Sequence, residues 1–276
     1  MVAPSIKARV ARWRYVVPNA ITCASLTIGL VASARAFVVG DFVDSAWLVV
    51  LCVLLDKLDG TAARALKATS AIGVQLDSFA DFVTFGVAPG ALLFAAGLKA
   101  RGSGVGWWAG DGGQLALSAL CAAYVVAACL RLAKFNVLAS VPAPPGVEQP
   151  KVFYGLPSTF AGGLLATTYI IADKYQVAGL LQAMPILALL LGLLMLSNLP
   201  MPKLVARKSK AFNVFQVVNI VVVYALSLLR VLPEYLISNV AIYLVVGFGW
   251  GFMHRKELLA ARRLDPYEAP DPPDED

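Results

Sequence analysis

Four carboxylates lie in sequence that is otherwise apolar. In VVLCVLLDKLDGTAARALKATSAIGVQLDSFADFVTFGVAP, Asp56, Asp59, Asp77 and Asp81 interrupt runs of Val, Leu, Ala and Phe. Each such residue costs about 2.5–3.5 kcal/mol at the centre of a membrane helix on insertion scales, so chance placement does not account for four. Asp56 and Asp59 are spaced i,i+3, and Asp77 and Asp81 i,i+4; in helices each pair shares one face. Lys57 and Arg64 cannot neutralise all four acids in a low-dielectric cleft. Either some are protonated or divalent cations bind among them. Ligation by oxygen alone suits Mg²⁺ or Mn²⁺, ions that commonly also hold substrate phosphates. Two such ions beside an arginine suit displacement at phosphorus, with Arg64 taking phosphate charge.

Two other readings compete. A buried ion-pair network accounts for one or two acids, not for four against one arginine. A cation or proton transporter also uses intramembrane carboxylates, but transporters more often spread their ligands over broken helices in repeated halves. This sequence has one acidic hairpin, no internal repeat, and small residues (Gly60, Ala63, Gly73) beside the acids, which leave room for a bulky group.

The elements that must position these residues follow from composition. Of 276 residues 59% are apolar and 14% charged, with mean hydropathy +0.74. An ordinary soluble domain is about 45–50% apolar and about 25% charged, so a soluble enzyme, a nucleic-acid binder and a disordered chain are disfavoured. The sequence predicts an all-α polytopic bundle. About 20 apolar residues cross a bilayer, and eight candidate spans are found: 19–39, 44–66, 72–98, 114–136, 156–172, 177–199, 212–231 and 235–253. Pro18, Pro157, Pro200 and Pro233 fall at proposed ends, and Pro185 must be tolerated inside a helix. The short link near Thr69 and Ser70 makes the second and third spans an antiparallel hairpin. Counting residues from Thr69, all four aspartates then sit at similar depth, roughly 12–20 Å from the turn at about 1.5 Å per residue.

Charge gives the expected orientation. Eighteen of the 23 Lys and Arg residues fall on one face, among them Arg14, Lys57, Arg64, Arg131, Lys134, Lys210 and Arg255. By the positive-inside rule that face and both termini are cytoplasmic, which assigns the net charge of +6 to a membrane surface rather than to nucleic acid. Three regions are expected: an interfacial segment 1–18 containing a short amphipathic helix over 5–16, a membrane domain 19–253, and a disordered acidic tail 254–276. Cys23, Cys52, Cys121 and Cys129 read as small buried residues. The single histidine, His254, makes a Ser-His-Asp triad improbable and reads as a headgroup-level cation.

The string Asp56-x2-Asp59-Gly60-x2-Ala63-Arg64-x8-Gly73-x3-Asp77-x3-Asp81 resembles, position for position, the signature of the CDP-alcohol phosphotransferase family. These are membrane-embedded, mostly dimeric enzymes that move a phosphatidyl-type group from a CDP-linked donor to an acceptor hydroxyl and release CMP. The resemblance implies that Asp56, Asp59 and Asp77 ligate two divalent ions, and that Asp81 is the general base and touches the second ion. It further implies that Asn19, Thr22, Gly60, Arg64, Ser70 and Gly73 bind the CDP-lipid. From the residues alone, Asn19 and Thr22 are ordinary helix-start residues and Ser70 an ordinary N-cap.

Leu130-Arg131-Leu132-Ala133-Lys134-Phe135-Asn136, Phe153-Tyr154-Gly155-Leu156-Pro157-Ser158 and Asn198-Leu199-Pro200-Met201-Pro202-Lys203 resemble the phosphatidylserine synthase branch of the family. That branch implies CDP-diacylglycerol and L-serine as substrates, a homodimer, and a bacterial-type cell membrane. Glycerol-3-phosphate, inositol phosphate and choline are the alternative acceptors. Lys134 stands where the branch often has arginine and Thr159 where proline is common; neither is expected to touch the chemistry. A serine carboxylate needs a cation near the metals. Arg131 is the best placed, with Asn136 and Lys134 behind it, while snorkelling to the headgroups is the structural alternative for Arg131.

Overall fold

In a computed structural model the described residues are 6–102, 104, 106–140, 152–202 and 209–255. Among them the chain is a bundle of helices: α1 (Ile6–Ala34), α2 (Phe42–Ala65), α3 (Ala71–Asp81), α4 (Ala88–Gly102), α5 (Asp111–Ser140), α6 (Ser158–Lys174), α7 (Ala178–Leu196), α8 (Lys210–Leu229) and α9 (Pro233–Met253). Two π-helical stretches extend this set. Arg35–Val39 continues α1, and Phe82–Val87 joins α3 to α4 in one rod. The helices thus fall where the eight spans were expected. Six satisfy length and hydropathy for crossing a membrane, and the chain is a multi-pass membrane protein. The other two are α2, which carries the acids, and α6, whose 17 residues make it short. Eight crossings are therefore not established by length and hydropathy.

Local chemistry sets the ends. Asp41 caps α2 by accepting from the Asp44 N–H at 3.0 Å, Ser70 caps α3 from Gly73, and Ser209 caps α8 from Phe212. Gly40, at φ +71, ends the first π stretch in the left-handed conformation that glycine adopts without strain. Of the short helix expected over 5–16, the described residues 6–16 do not form a helix of their own. From Ile6 they belong to α1, which runs unbroken past Pro18. The cost of a proline without an N–H is thus met inside the helix rather than at its end.

The core is formed by α6, 12 of whose 17 residues are buried, packed on α2, α7 and α9. Leu165 of α6 is fully enclosed, as are Tyr124, Phe85, Leu92, Leu117 and Met184 on the other elements. In contrast, α8 shows Val214, Phe215, Val217, Val218, Ile220 and Val221 to the outside, as a helix against lipid can. Cys52 and Cys121 are buried as expected, but Cys23 and Cys129 are exposed, because their helix positions fall on the outer surface of the bundle. His254 stacks on Trp250 with ring centroids 4.7 Å apart.

One feature lies outside the all-helical expectation. Val152–Tyr154 (β1) and Pro200–Pro202 (β2) pair antiparallel, with Phe153 opposite Met201. Gly155 follows β1 at φ +78, where a Cβ would come within 2.7 Å of the Ser197 carbonyl. Two of the three stretches that carried the branch resemblance are therefore in contact. Residues 141–151, a Pro-rich segment in the sequence, and the expected tail from residue 256 onward lie outside the described residues.

Candidate active site

The hairpin forms as expected. α2 closes at Ala65, Leu66–Ser70 make the turn with Lys67 at φ 49, and α3 returns. Asp56, Asp59 and Asp77 each bring one carboxylate oxygen within 4.8 Å of the others. One turn beyond Asp77, Asp81 interacts electrostatically with Asp56 and Asp77 and, with opposite sign, with Arg131 and Lys57. All four acids share one region, as helical spacing and equal depth require.

Asp59 and Asp56 are held by neighbouring groups. Thr22 on α1 donates its hydroxyl to Asp59 Oδ2 at 2.7 Å, and the Gly60 N–H donates to Asp59 Oδ1 at 2.6 Å. Lys57 Nζ pairs with Asp56 Oδ2 at 3.1 Å from a largely exposed position. Thr159 on α6 lies with its hydroxyl 3.5 Å from the same oxygen. That corrects the expectation that Thr159 stands clear of the chemistry: the first turn of α6 is packed against α2, which sequence spacing does not reveal. Tyr224 on α8 donates to the Leu54 carbonyl at 3.2 Å, just below Asp56, and lies within electrostatic range of Asp56 and Asp59. A single tyrosine in an apolar helix gave only a weak signal of this.

The residues expected to bind the CDP-lipid fall into two groups of neighbours. A Cβ at Gly73 would lie 3.0 Å from Ser70 Oγ and 3.3 Å from Asn19 Oδ1, so Asn19, Ser70 and Gly73 are neighbours. A Cβ at Gly60 would lie 3.5 Å from a terminal nitrogen of Arg64, whose guanidinium folds back over the glycine. Ser70 is the N-cap of α3, and Thr22 is a partner of Asp59, so both have structural work besides any ligand contact.

On α5, Arg131 is buried. Its Nε donates to the Leu156 carbonyl at 3.3 Å, and its guanidinium sits 5.3 Å from the centre of the Phe135 ring. This fixed cation in range of Asp81 and Asp56 is not a side chain snorkelling to the headgroups. Asn136 is held by Ser78, its Nδ2 lying 2.9 Å from Ser78 Oγ, which ties α5 to α3 beside Asp77. Lys134 reaches Asn198 at 2.6 Å. Ser78 was missed in the sequence because its role depends on a helix 58 residues away.

Three converging carboxylates with one nearby lysine form an oxygen-only donor set with excess negative charge, which fits a hard divalent cation. The acids, the small-residue floor and the flanking arginines define a site for phosphoryl-group chemistry inside a membrane bundle.

The chain belongs to the CDP-alcohol phosphatidyltransferase family, whose profile matches residues 15–251. It is 34% identical over 245 residues to a CDP-diacylglycerol–serine O-phosphatidyltransferase of Helicobacter pylori, covering 87% of this chain and 92% of that protein. Proteins of the same name from Bacillus subtilis and Methanocaldococcus jannaschii are each 34% identical. The first aligns over 149 residues (53% of this chain, 71% of that protein) and the second over 159 (56% and 62%).

Proposed function

We propose that the protein transfers the phosphatidyl group of CDP-diacylglycerol to the hydroxyl of L-serine, giving phosphatidylserine and CMP. The observation that carries this reading is the convergence of Asp56, Asp59 and Asp77 beside Asp81 and the buried Arg131. The names of the relatives support the donor and the acceptor.

In this reading Asn19, Thr22, Gly60, Arg64, Ser70 and Gly73 bind the CDP portion, and Arg64 takes phosphate charge. Asp56, Asp59 and Asp77, with Asp81, hold two divalent ions, Mg²⁺ or Mn²⁺. Ions bound there would offset charge on the pyrophosphate and on the departing CMP. Asp81 accepts the proton of the serine hydroxyl, and that oxygen attacks the lipid-bearing phosphorus. Arg131, fixed by Leu156 and Phe135, receives the serine carboxylate, with Asn136 behind it. Binding both reactants turns a bimolecular encounter into an oriented attack.

The membrane domain spans 19–253, flanked by an interfacial segment 1–18 and a tail 254–276. The site and both termini face the cytoplasm of a bacterial-type cell, and the working unit is a homodimer. The uneven distribution of basic residues supports the orientation, and the family resemblance supports the dimer.

The test is an acceptor panel. Purified protein with CDP-diacylglycerol and Mn²⁺ or Mg²⁺ should move label from serine into lipid with matching CMP release. Label from glycerol-3-phosphate or inositol phosphate but not serine would reject the acceptor and keep the family chemistry.

A further inference from the structure

We infer that Tyr124 is a positioning residue for the acidic cluster: its hydroxyl holds the π-helical turn that sets the rotation of α3, and so of Asp77 and Asp81, relative to Asp56 and Asp59. This rests on the proposed metal-dependent transfer and assigns a determinant of its geometry that lies outside the signature.

The turn has a cause in the sequence. In an α-helix the carbonyl of Phe85 would accept from the N–H of residue 89. Residue 89 is proline, which has no N–H and whose ring crowds the carbonyl four residues earlier. The ladder instead widens over Phe82–Val87, where the Ala88 N–H reaches back to Val83. The Phe85 carbonyl receives the hydroxyl of Tyr124 from α5 at 2.6 Å. Tyr124 and Phe85 are both fully buried.

Neighbouring helices are shaped around this turn. A Cβ at Gly29 of α1 would meet Thr84 Cγ2 at 2.7 Å, one at Gly86 would meet Ala128 Cβ of α5 at 3.1 Å, and one at Gly162 of α6 would meet Phe85 Cα at 3.0 Å. Three helices therefore approach the turn closely, and Tyr124 is the side chain seen to donate to the Phe85 carbonyl among the described residues.

The turn starts at the residue after Asp81. A widened turn adds one residue to the helical count, so closing it to α would rotate one side against the other by about 100°. α4 is anchored by Ala88, Pro89, Leu92 and Leu93, all buried. In α3, Ala80 alone is buried, while Ile72 and Phe79 are 77% and 65% exposed. The side that yields is α3, which carries Asp77 and Asp81 away from Asp56 and Asp59.

Full-length wild type, Tyr124→Phe, Pro89→Ala and the double variant, purified in detergent, are titrated with Mn²⁺ and followed by electron paramagnetic resonance, with thermal unfolding measured alongside. Loss of one hydrogen bond at the turn should weaken Mn²⁺ binding by Tyr124→Phe roughly three- to tenfold. Pro89→Ala returns an N–H to the Phe85 carbonyl, so it should also weaken Mn²⁺ binding and make Tyr124 redundant. In the double variant the Phe substitution should then add less than about twofold, a non-additivity that a purely structural tyrosine would not produce. Unchanged Mn²⁺ affinity in Tyr124→Phe, or independent additive losses, overturns the assignment. If Tyr124→Phe does not fold, unchanged Mn²⁺ affinity in Pro89→Ala overturns it. A wild type that binds Mn²⁺ but labels no lipid from serine sinks the acceptor reading and leaves this one standing.

Discussion

Both ends of α2 carry acids, and the two ends treat them in opposite ways. Near its start Asp44 is held between two cations, Arg35 Nε at 2.7 Å and Arg230 from the end of α8. One carboxylate thus meets two guanidiniums, one nine residues away and one 186 residues away, and ties the end of α8 to the α1–α2 junction. Near its other end, Asp56 and Asp59 meet Asp77 and Asp81 from α3, with Lys57 paired to Asp56 and Arg131 in range. Acids matched by neighbouring cations fasten helices. Acids in excess, gathered by the fold at the same depth, are left to be balanced by a bound cation or by protons, and this is what separates a clasp from a candidate site.

The sharpest way to break that contrast is to remove one charge from each of the two acid groups. Asp81→Asn should lower turnover by about 10²–10⁴-fold, the usual range for losing a positioned proton acceptor, while the folded yield stays near wild type; normal turnover would deny Asp81 its role. Thr22→Val keeps the shape of the side chain but removes the 2.7 Å bond to Asp59. Metal-supporting hydrogen bonds of this kind are worth about 10–100-fold in affinity or activity, so the Mn²⁺ concentration for half-maximal transfer should rise within that range. Asp44→Asn should do the reverse of Asp81→Asn. Partly exposed ion pairs contribute about 1 kcal/mol or less each, so thermal stability should fall modestly while transfer per folded molecule stays within about twofold. Loss of metal dependence in Asp44→Asn would erase the distinction between the two ends.

Much of the acidic end was legible in the sequence. Helical periodicity puts Asp56 with Asp59 and Asp77 with Asp81 on shared faces, and a short turn forces the two pairs to one depth. The flanking contacts were not legible. Thr159, Ser78 and Tyr224 act across helices, and no periodicity within one helix specifies which neighbour it will meet. Pro89 was a missed signal of another kind: proline chemistry forbids an ordinary turn at Phe85, yet the apolar run reads as one uninterrupted span. For Arg131 the sequence leaves both the site and the headgroups open, and the Leu156 carbonyl and the Phe135 ring decide between them.

What the sequence determined by itself is a membrane bundle with an acidic hairpin, because hydrophobic run length and helical spacing act within a segment. Which acids are matched by cations and which are left in surplus was decided only in the tertiary structure. Charge balance depends on distances between segments that the chain brings together by packing, and those distances have no signature in any one stretch of residues.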